Sequence, residues 1–487
     1  LDASWALTNF MCEGEWETHE AIKAGAPPIL MKLASLLQGT DEQEQELKRQ
    51  CFWALTNIAG DCGHCRHLLV ELDFLYLLKT MLDQELDYLP LTSRITRPSA
   101  CLELARFSEL KLQEVTTATT KDKTSSSTSS SCTTSKPTSL ELAVWALSNM
   151  CRKDERAAPI AFHLFRPFLP ILTSLIQRHD EYYDDKVTGT QVIKRSNNYK
   201  EVLGYACWSL AYLADGTSPE IAEIVHFGVC APLVELLQHD DNWVVGGALR
   251  ALGNLVTGND EQTNAVVEAG AVPALFQLLL KLEKREDTSG AQAQEREVVW
   301  TLSNIAAGTE EQIDAVLTEE DLLCVLISLL AEGSKKTQKE AVWTICNAAT
   351  GGSAAQCQRL VDYGVLPALC AAWKGQRFDS RLASTMISGL ECLLSSGAQM
   401  ENRRLLSIYT RAIHILTAPF LTAHTAKHLG GRSLLEEVAD IRQGYTDNVQ
   451  ARARQMLQQY FNGPRMKLNK GNDMGEAFIK FEFYPAA

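Results

Sequence analysis

The feature that most constrains this chain is a recurring pair, a Trp with an Asn four residues later. It occurs at Trp5/Asn9, Trp53/Asn57, Trp145/Asn149, Trp300/Asn304 and Trp343/Asn347, with altered copies at Trp208/Tyr212 and Arg250/Asn254. Successive first members lie 48, 92, 63, 42, 50 and 43 residues apart, a basic period near 42 that carries insertions of about 6, 50, 21 and 8. A chain of 487 residues built on such a period is too long for one compact core. It suits a stack of small units, each burying its apolar face on its neighbours.

The stretch from Val202 to Leu280 shows the unit most plainly. Ala206 to Gly216 (ACWSLAYLADG) and Ala248 to Gln262 (ALRALGNLVTGNDEQ) read as helices rich in small residues, followed by Asp, Gly and Thr. Ala269 to Leu280 (AGAVPALFQLLL) reads as a turn that opens a Leu-rich helix. The turn signal Gly-x-x-Pro occurs at Gly270/Pro273 and Gly364/Pro367, with a shorter Gly25-Ala-Pro27 version. Gly fits the left-handed residue that ends one helix, and Pro fits the first turn of the next. Strand signals are scarce and no βα alternation appears, so the chain is expected to be all-α. Periods of about 40 to 47 residues with several helices per unit belong to armadillo and HEAT solenoids.

Along the chain, residues 1–20 are expected to hold the last helix of a truncated repeat and the loop after it. Residues 21–60 form a full repeat with helices at 21–25, 28–38 and 43–59. The next unit starts near His64 and closes at Leu140 to Cys151, across an inserted loop at 89–138. The Thr116 to Ser139 part of that stretch is low-complexity Ser/Thr/Lys with no apolar period to order it. A second inserted loop spans 179–199, and Lys284 to Gln294 is a shorter interruption. Ser384 to Leu394 takes the next third-helix position, with no Trp and with Cys392 where Asn is expected. Gly430 to Phe461 reads as a closing repeat with a more polar face. The repeat domain is therefore drawn as 1–461, with 462–487 as a tail. Because the sequence opens on Leu1 in mid-repeat, it reads as a fragment of a longer chain.

The formal charge of −14, from 60 acidic against 46 basic residues, disfavours nucleic acid and favours a cationic partner. No run of about 20 apolar residues and no secretory pattern is present, so a soluble intracellular protein is expected. The fourteen cysteines are scattered, and Cys51, Cys151, Cys207 and Cys346 look like small buried residues of a reducing compartment. Cys62-Gly-His-Cys65 has the letters of a thiol–disulfide site, and His67 gives it the look of a metal site. Redox chemistry, however, needs the first Cys at the start of a helix after a strand, and this motif follows the end of the Trp53 helix. There is no second CxxC to complete a zinc site, and no phosphate loop, nucleophile elbow or HExxH. Neither enzyme activity nor a cofactor is expected.

Residues four apart share one helix face, so stacked repeats set each Trp beside its Asn and each pair beside the next. A row of Asn amides can grip the backbone of an extended peptide whatever its side chains. Indole faces form slots for Lys or Arg stems, at roughly 0.5–2 kcal/mol per contact. Single Trp residues are usually core. Asn, however, is a poor helix former with no reason to recur on a buried face, so the repeated pair points to a groove.

On these residues the chain resembles the importin-α family. The resemblance is carried by Trp53-Ala-Leu-Thr-Asn57-Ile-Ala-Gly-Asp61, Trp145-Ala-Leu-Ser-Asn149, Cys207-Trp208-Ser-Leu-Ala-Tyr212, Arg250-Ala-Leu-Gly-Asn254 and Glu340-Ala-Val-Trp343. It implies a right-handed armadillo-repeat superhelical solenoid of about nine repeats with a concave groove, and a nuclear import adaptor that binds Lys/Arg-rich nuclear localisation signals. A major site would use Trp5, Asn9, Trp53, Asn57, Trp145 and Asn149, with Thr18 and Asp61 at the pocket for the most buried lysine. A minor site would use Arg250, Asn254, Trp300, Asn304, Trp343 and Asn347, with charge from Glu297 and Glu340. Glu13 stands where the family places a Gly before Thr18, and Leu142 and Cys392 replace positions that are usually Asn. The family's importin-β-binding segment and first repeat are not in this sequence, and its export receptor contacts the C-terminal repeats. Cytoplasm and nucleus are the implied locations. An armadillo scaffold for a different protein partner is the other reading.

Overall fold

A computed structural model describes residues 1–37, 41–86, 137–177, 182–184, 191–193, 199–285, 288–375 and 379–399. The chain divides into two compact units, Leu1–Gly258 and Asn259–Ala487.

The first unit opens with α1 (Asp2–Phe10), which packs on α4 as a third helix does. Full three-helix repeats follow as α2 (Glu15–Lys23), α3 (Ala26–Leu36) and α4 (Glu42–Asp61), then α5 (Gly63–Glu71), α6 (Phe74–Glu85) and α7 (Ser139–Cys151). In the next repeat two 3-10 turns, Phe162–Leu164 and Arg166–Phe168, replace the first helix ahead of α8 (Leu169–Gln177) and α9 (Tyr199–Ala214). The unit ends with α10 (Ser218–His226), α11 (Cys230–Leu236) and α12 (Asn242–Leu255). Its third helices pack in sequence, α1 on α4, α4 on α7, α7 on α9 and α9 on α12.

The second unit continues the pattern with α13 (Asp260–Glu268), α14 (Ala271–Glu283), α15 (Thr288–Ile305), α16 (Glu310–Thr318), α17 (Glu320–Glu332) and α18 (Lys335–Gly351). Its last described repeat is α19 (Ala354–Asp362), α20 (Val365–Gly375) and α21 (Ser380–Gln399). Here α15 packs on α18 and α18 on α21.

The short first helices start on reciprocal caps written in the sequence. Thr217/Glu220, Asn259/Gln262, Thr309/Gln312 and Ser353/Gln356 are capping boxes, each satisfying donors that the first turn would leave bare. In the second unit the same glutamines reach across repeats: Gln312 Nε2 donates to the Asp260 carbonyl (2.9 Å) and Gln356 Nε2 to that of Glu310 (2.8 Å). The turn into the second helix uses left-handed glycines at Gly25, Gly228, Gly270 and Gly364, with φ of 81°, 74°, 84° and 85°. Asp73 occupies the same turn before α6 at φ 60°. A left-handed residue with a Cβ costs about 1–2 kcal/mol, less for Asp, and Gly returns part of that gain as unfolded-state entropy. Asp73→Gly should therefore stabilise the chain by about 0.5 kcal/mol, read from the urea midpoint.

Three sequence boundaries are corrected. α2 begins at Glu15, so residues 15–20 belong to a helix and not to a loop. α15 begins at Thr288 and absorbs most of the interruption drawn at Lys284 to Gln294. The second insertion carries strands: β1 (Tyr182–Asp184) pairs antiparallel with β2 (Gln191–Ile193), Tyr183 opposite Val192. Residues 87–136, the closing repeat at Gly430 to Phe461 and the tail at 462–487 lie outside the described residues. No single described helix is long and apolar enough to cross a membrane.

Candidate functional site

Four Asn residues of the repeated pair first serve the neighbouring helix. Asn57 Nδ2 donates to the Thr8 carbonyl (3.1 Å), Asn149 to that of Thr56 (3.1 Å), Asn254 to that of Ala211 (2.8 Å) and Asn347 to that of Ser303 (3.0 Å). In every case the acceptor is the residue just before the matching Asn or Tyr of the preceding third helix. A helical carbonyl has a second lone pair after its i+4 bond, and the amide takes it. The premise that Asn has no reason to recur on a buried face is thus corrected: Asn149 and Asn254 are each 8% exposed and fix the register between helices. Asn57 and Asn347 are half-buried and Asn9 is exposed, and Asn57 Nδ2 also donates to the Cys12 sulfur at 3.1 Å. The Nδ2 of Asn304 is buried without a partner among the described residues.

The tryptophans divide differently. Trp5 is 60% exposed, whereas Trp53, Trp145, Trp300 and Trp343 are half-buried, each offering part of its ring to solvent. Tyr205 stacks on Trp145 with ring centroids 5.8 Å apart and meets the edge of Trp243 at 4.7 Å. Gly204 leaves the space that the Trp243 ring fills. The sequence reading passed over Tyr205, although it precedes Trp208 by three residues just as Glu297 and Glu340 precede Trp300 and Trp343. Trp208 and Tyr212 tilt against each other at 5.9 Å. On the Trp343 ring the chain seats a cation of its own, with Arg381 Cζ 5.4 Å from the centroid.

The acidic residues are held in partly dry surroundings. Burial pushes the Glu340 carboxyl up, Glu297 adds to this, and Arg296 and Lys339 oppose it. Burial likewise raises Asp61, which lies 3.4 Å from His19 Nε2. Thr18 is buried, its hydroxyl directed at the carbonyls of Met11 (3.3 Å) and Gly14 (3.2 Å). Trp5, Asn9, Thr18, Trp53, Asn57, Asp61, Trp145 and Asn149 all belong to the first unit. The second set is divided: Arg250 and Asn254 stand on α12 of the first unit, and Glu297, Trp300, Asn304, Glu340, Trp343 and Asn347 on α15 and α18 of the second.

The cysteines outside the pairs also find their places. Cys51, Cys151, Cys207 and Cys346 are buried, and burial raises their thiols, Cys207 and Cys346 to about 12. The CxxC motif follows the end of the Trp53 helix, as the sequence placed it, with Cys62 both the C-cap of α4 and the N-cap of α5. Hydrogen bonding from the Cys65 thiol lowers Cys62, and the same pairing raises Cys65. His67 turns away, its Nε2 2.7 Å from the Ala158 carbonyl.

Behind the motif, the Asp154 carboxylate accepts from Gly63 N (2.8 Å) and Arg156 N (2.9 Å) and lies 3.6 Å from the buried Arg66 guanidinium. Arg66 also donates to the Ala59 carbonyl at 3.1 Å.

Comparison with known proteins agrees with the repeat architecture. A family profile described as Armadillo/beta-catenin-like repeat matches residues 217–257 and 309–350, the spans of α10–α12 and α16–α18. Importin subunit alpha-1a of Oryza sativa subsp. japonica is 33% identical over 317 residues, 65% of this chain and 44% of the relative. Importin subunit alpha-1b of the same organism is 30% identical over 402 residues, 82% and 59% of the two chains. Importin subunit alpha-4 of Arabidopsis thaliana is 36% identical over 263 residues, 54% and 43%. The chain thus spans about half the length of the curated relatives it matches. A crystal structure of an engineered protein superposes with a TM-score of 0.55 at 20% identity, covering 94% of each chain.

Proposed function

We propose, from the premise that this chain is an armadillo-repeat protein related to the importin α subunits, that its third helices bind Lys/Arg-rich nuclear localisation signals in extended form. The observation that carries the reading is Arg381 over Trp343: the chain itself seats a guanidinium on one of the indoles assigned to peptide side chains. Half-buried Trp faces supply the slots, the exposed or half-buried amides of Asn9, Asn57 and Asn347 meet the peptide backbone, and Asp61, Glu297 and Glu340 favour cations. The acidic balance of −14 gives the long-range attraction the same sign. On this reading the protein is a nuclear import adaptor and not an enzyme. It works with cargo and an export receptor, and with importin-β through a segment that is not in this sequence, and moves between cytoplasm and nucleus.

A fluorescence titration with a basic bipartite peptide tests the reading. Saturable binding that weakens as salt rises is expected, and Trp53→Ala should weaken it roughly tenfold, the equivalent of about 1.4 kcal/mol. Equal binding by the variant, with an unchanged helical circular dichroism spectrum, would remove the indole from the site. Preference for an acidic peptide would favour an armadillo scaffold for another partner.

A further inference from the structure

The strongest side-chain cluster outside the Trp/Asn array gathers four metal-ligating residues from three elements. His19 comes from α2, Asp61 from the last turn of α4, Cys62 from the N-cap of α5 and Cys65 from its first turn. Their donor atoms all lie within 4.8 Å of one another. Cys62 Sγ is 3.3 Å from Cys65 Sγ and 3.6 Å from His19 Nε2, Cys65 Sγ is 3.5 Å from Asp61 Oδ2, and His19 Nε2 is 3.4 Å from that oxygen. For zinc with bonds of about 2.3 Å to sulfur and about 2.0–2.1 Å to nitrogen or oxygen, a tetrahedron has edges of about 3.3–3.8 Å. Four of the six ligand–ligand separations fall at that scale, and the other two, Cys62 Sγ to Asp61 and Cys65 Sγ to His19, lie within 4.8 Å, so the four donors need only a small closure around the metal.

We infer that His19, Asp61, Cys62 and Cys65 form a tetrahedral zinc site. Two sulfurs, one imidazole and one carboxylate are a donor set that selects zinc over magnesium or calcium, which take oxygen shells. Four protein ligands leave no open position for substrate, so the site is structural. It joins the first helix of one repeat to the junction with the next. On binding, the two thiols lose their protons to solvent and the imidazole coordinates in its neutral form, with no redox change. The turn that presents the cysteines is already fixed: Gly63 N donates to Asp154 at 2.8 Å, and a Cβ on Gly63 would come within 2.5 Å of the Ala157 Cβ. Sequence spacing hid the site because His19 stands 43 residues from Cys62. Asp61 is also assigned to the proposed lysine pocket. In a zinc-loaded chain its carboxylate would be turned to the metal; that one consequence rests on the peptide-binding reading.

The test is metal analysis of the full chain, purified under reducing conditions without chelator and measured without any peptide, so its outcome is independent of the peptide titration. About one zinc per chain is expected. Exchange with cobalt should give the visible absorption of a tetrahedral cobalt–thiolate centre, and a chelator should lower Tm. Cys62→Ser keeps an N-capping residue and should lose both metal and chromophore with the fold intact. His19→Asn should weaken metal binding at least tenfold, and Cys12→Ser should leave it unchanged. A metal-free chain that gives no cobalt–thiolate spectrum, or a metal content unchanged in Cys62→Ser and His19→Asn, would overturn the assignment.

Discussion

Asp154→Ala is expected to cost the first unit about 3–5 kcal/mol. The carboxylate caps the start of α5 through Gly63 N and lies beside Arg66, which is only 3% exposed. Losing a cap costs about 1 kcal/mol, and leaving a buried guanidinium without its counter-charge accounts for the larger part. The Arg66–Ala59 hydrogen bond survives, but it supplies no compensating charge. A double variant that also carries Arg66→Met should recover much of the loss, because no buried charge is then stranded. Repeats lean on their immediate neighbours, so the effect should be local: hydrogen exchange should accelerate across α4, α5 and α7 before the second unit responds.

The same carboxylate sets an acid limit. Hydrogen bonds from Arg156 N and Gly63 N, with the Arg156 guanidinium, hold Asp154 well below its ordinary value of 3.8. As pH falls the unfolded chain takes up this proton first. The contribution is therefore complete above about pH 4 and is lost as pH drops below it. The wild-type chain should lose this increment on acidification, and Asp154→Ala should not.

Phe52→Ala should cost about 3–5 kcal/mol through a different cause. Phe52 is fully buried on α4, and its ring lies 6.4 Å from that of Phe74 at the start of α6, tilted by 39°. The pair joins the third helix of one repeat to the second helix of the next. Truncation removes apolar burial and an aromatic contact and leaves a cavity between elements that cannot close independently. Phe52→Leu should keep more than half of the lost stability by refilling most of that volume. Urea unfolding followed by hydrogen exchange at α4 and α6 would measure both.

The repeat register was legible because a large, rare residue and a small turn residue return together. Trp53, Trp145, Trp300 and Trp343 fall on third helices, and Gly25, Gly270 and Gly364 take the left-handed turn that their spacing implied. The first-helix starts were legible too, in Asn259-x-x-Gln262 and Ser353-x-x-Gln356, but only to a reading that looked for caps. What stayed hidden depends on contacts between residues far apart in sequence. Arg66 and Asp154 meet across an insertion of about fifty residues, and His19 reaches Cys62 from another repeat. A three-residue β1 is too short to show a period, so the hairpin at Tyr182–Asp184 left no readable trace. The role of the Asn residues was read only in part, since a pattern of amides does not reveal which hydrogens are already committed.

On the proposed peptide-binding reading, that commitment gives the amide two duties that cannot be altered separately. A side chain that anchors the backbone of one helix also spaces the rungs offered to a visitor, so the interval between rungs is the interval between helices. Removing Asn57 would cut a contact and slacken its mounting in the same stroke. Loss of affinity in such a variant would overstate the contact itself. Changing the half-buried Trp53 ring, which offers its face to the peptide on that reading, tests the grip more directly.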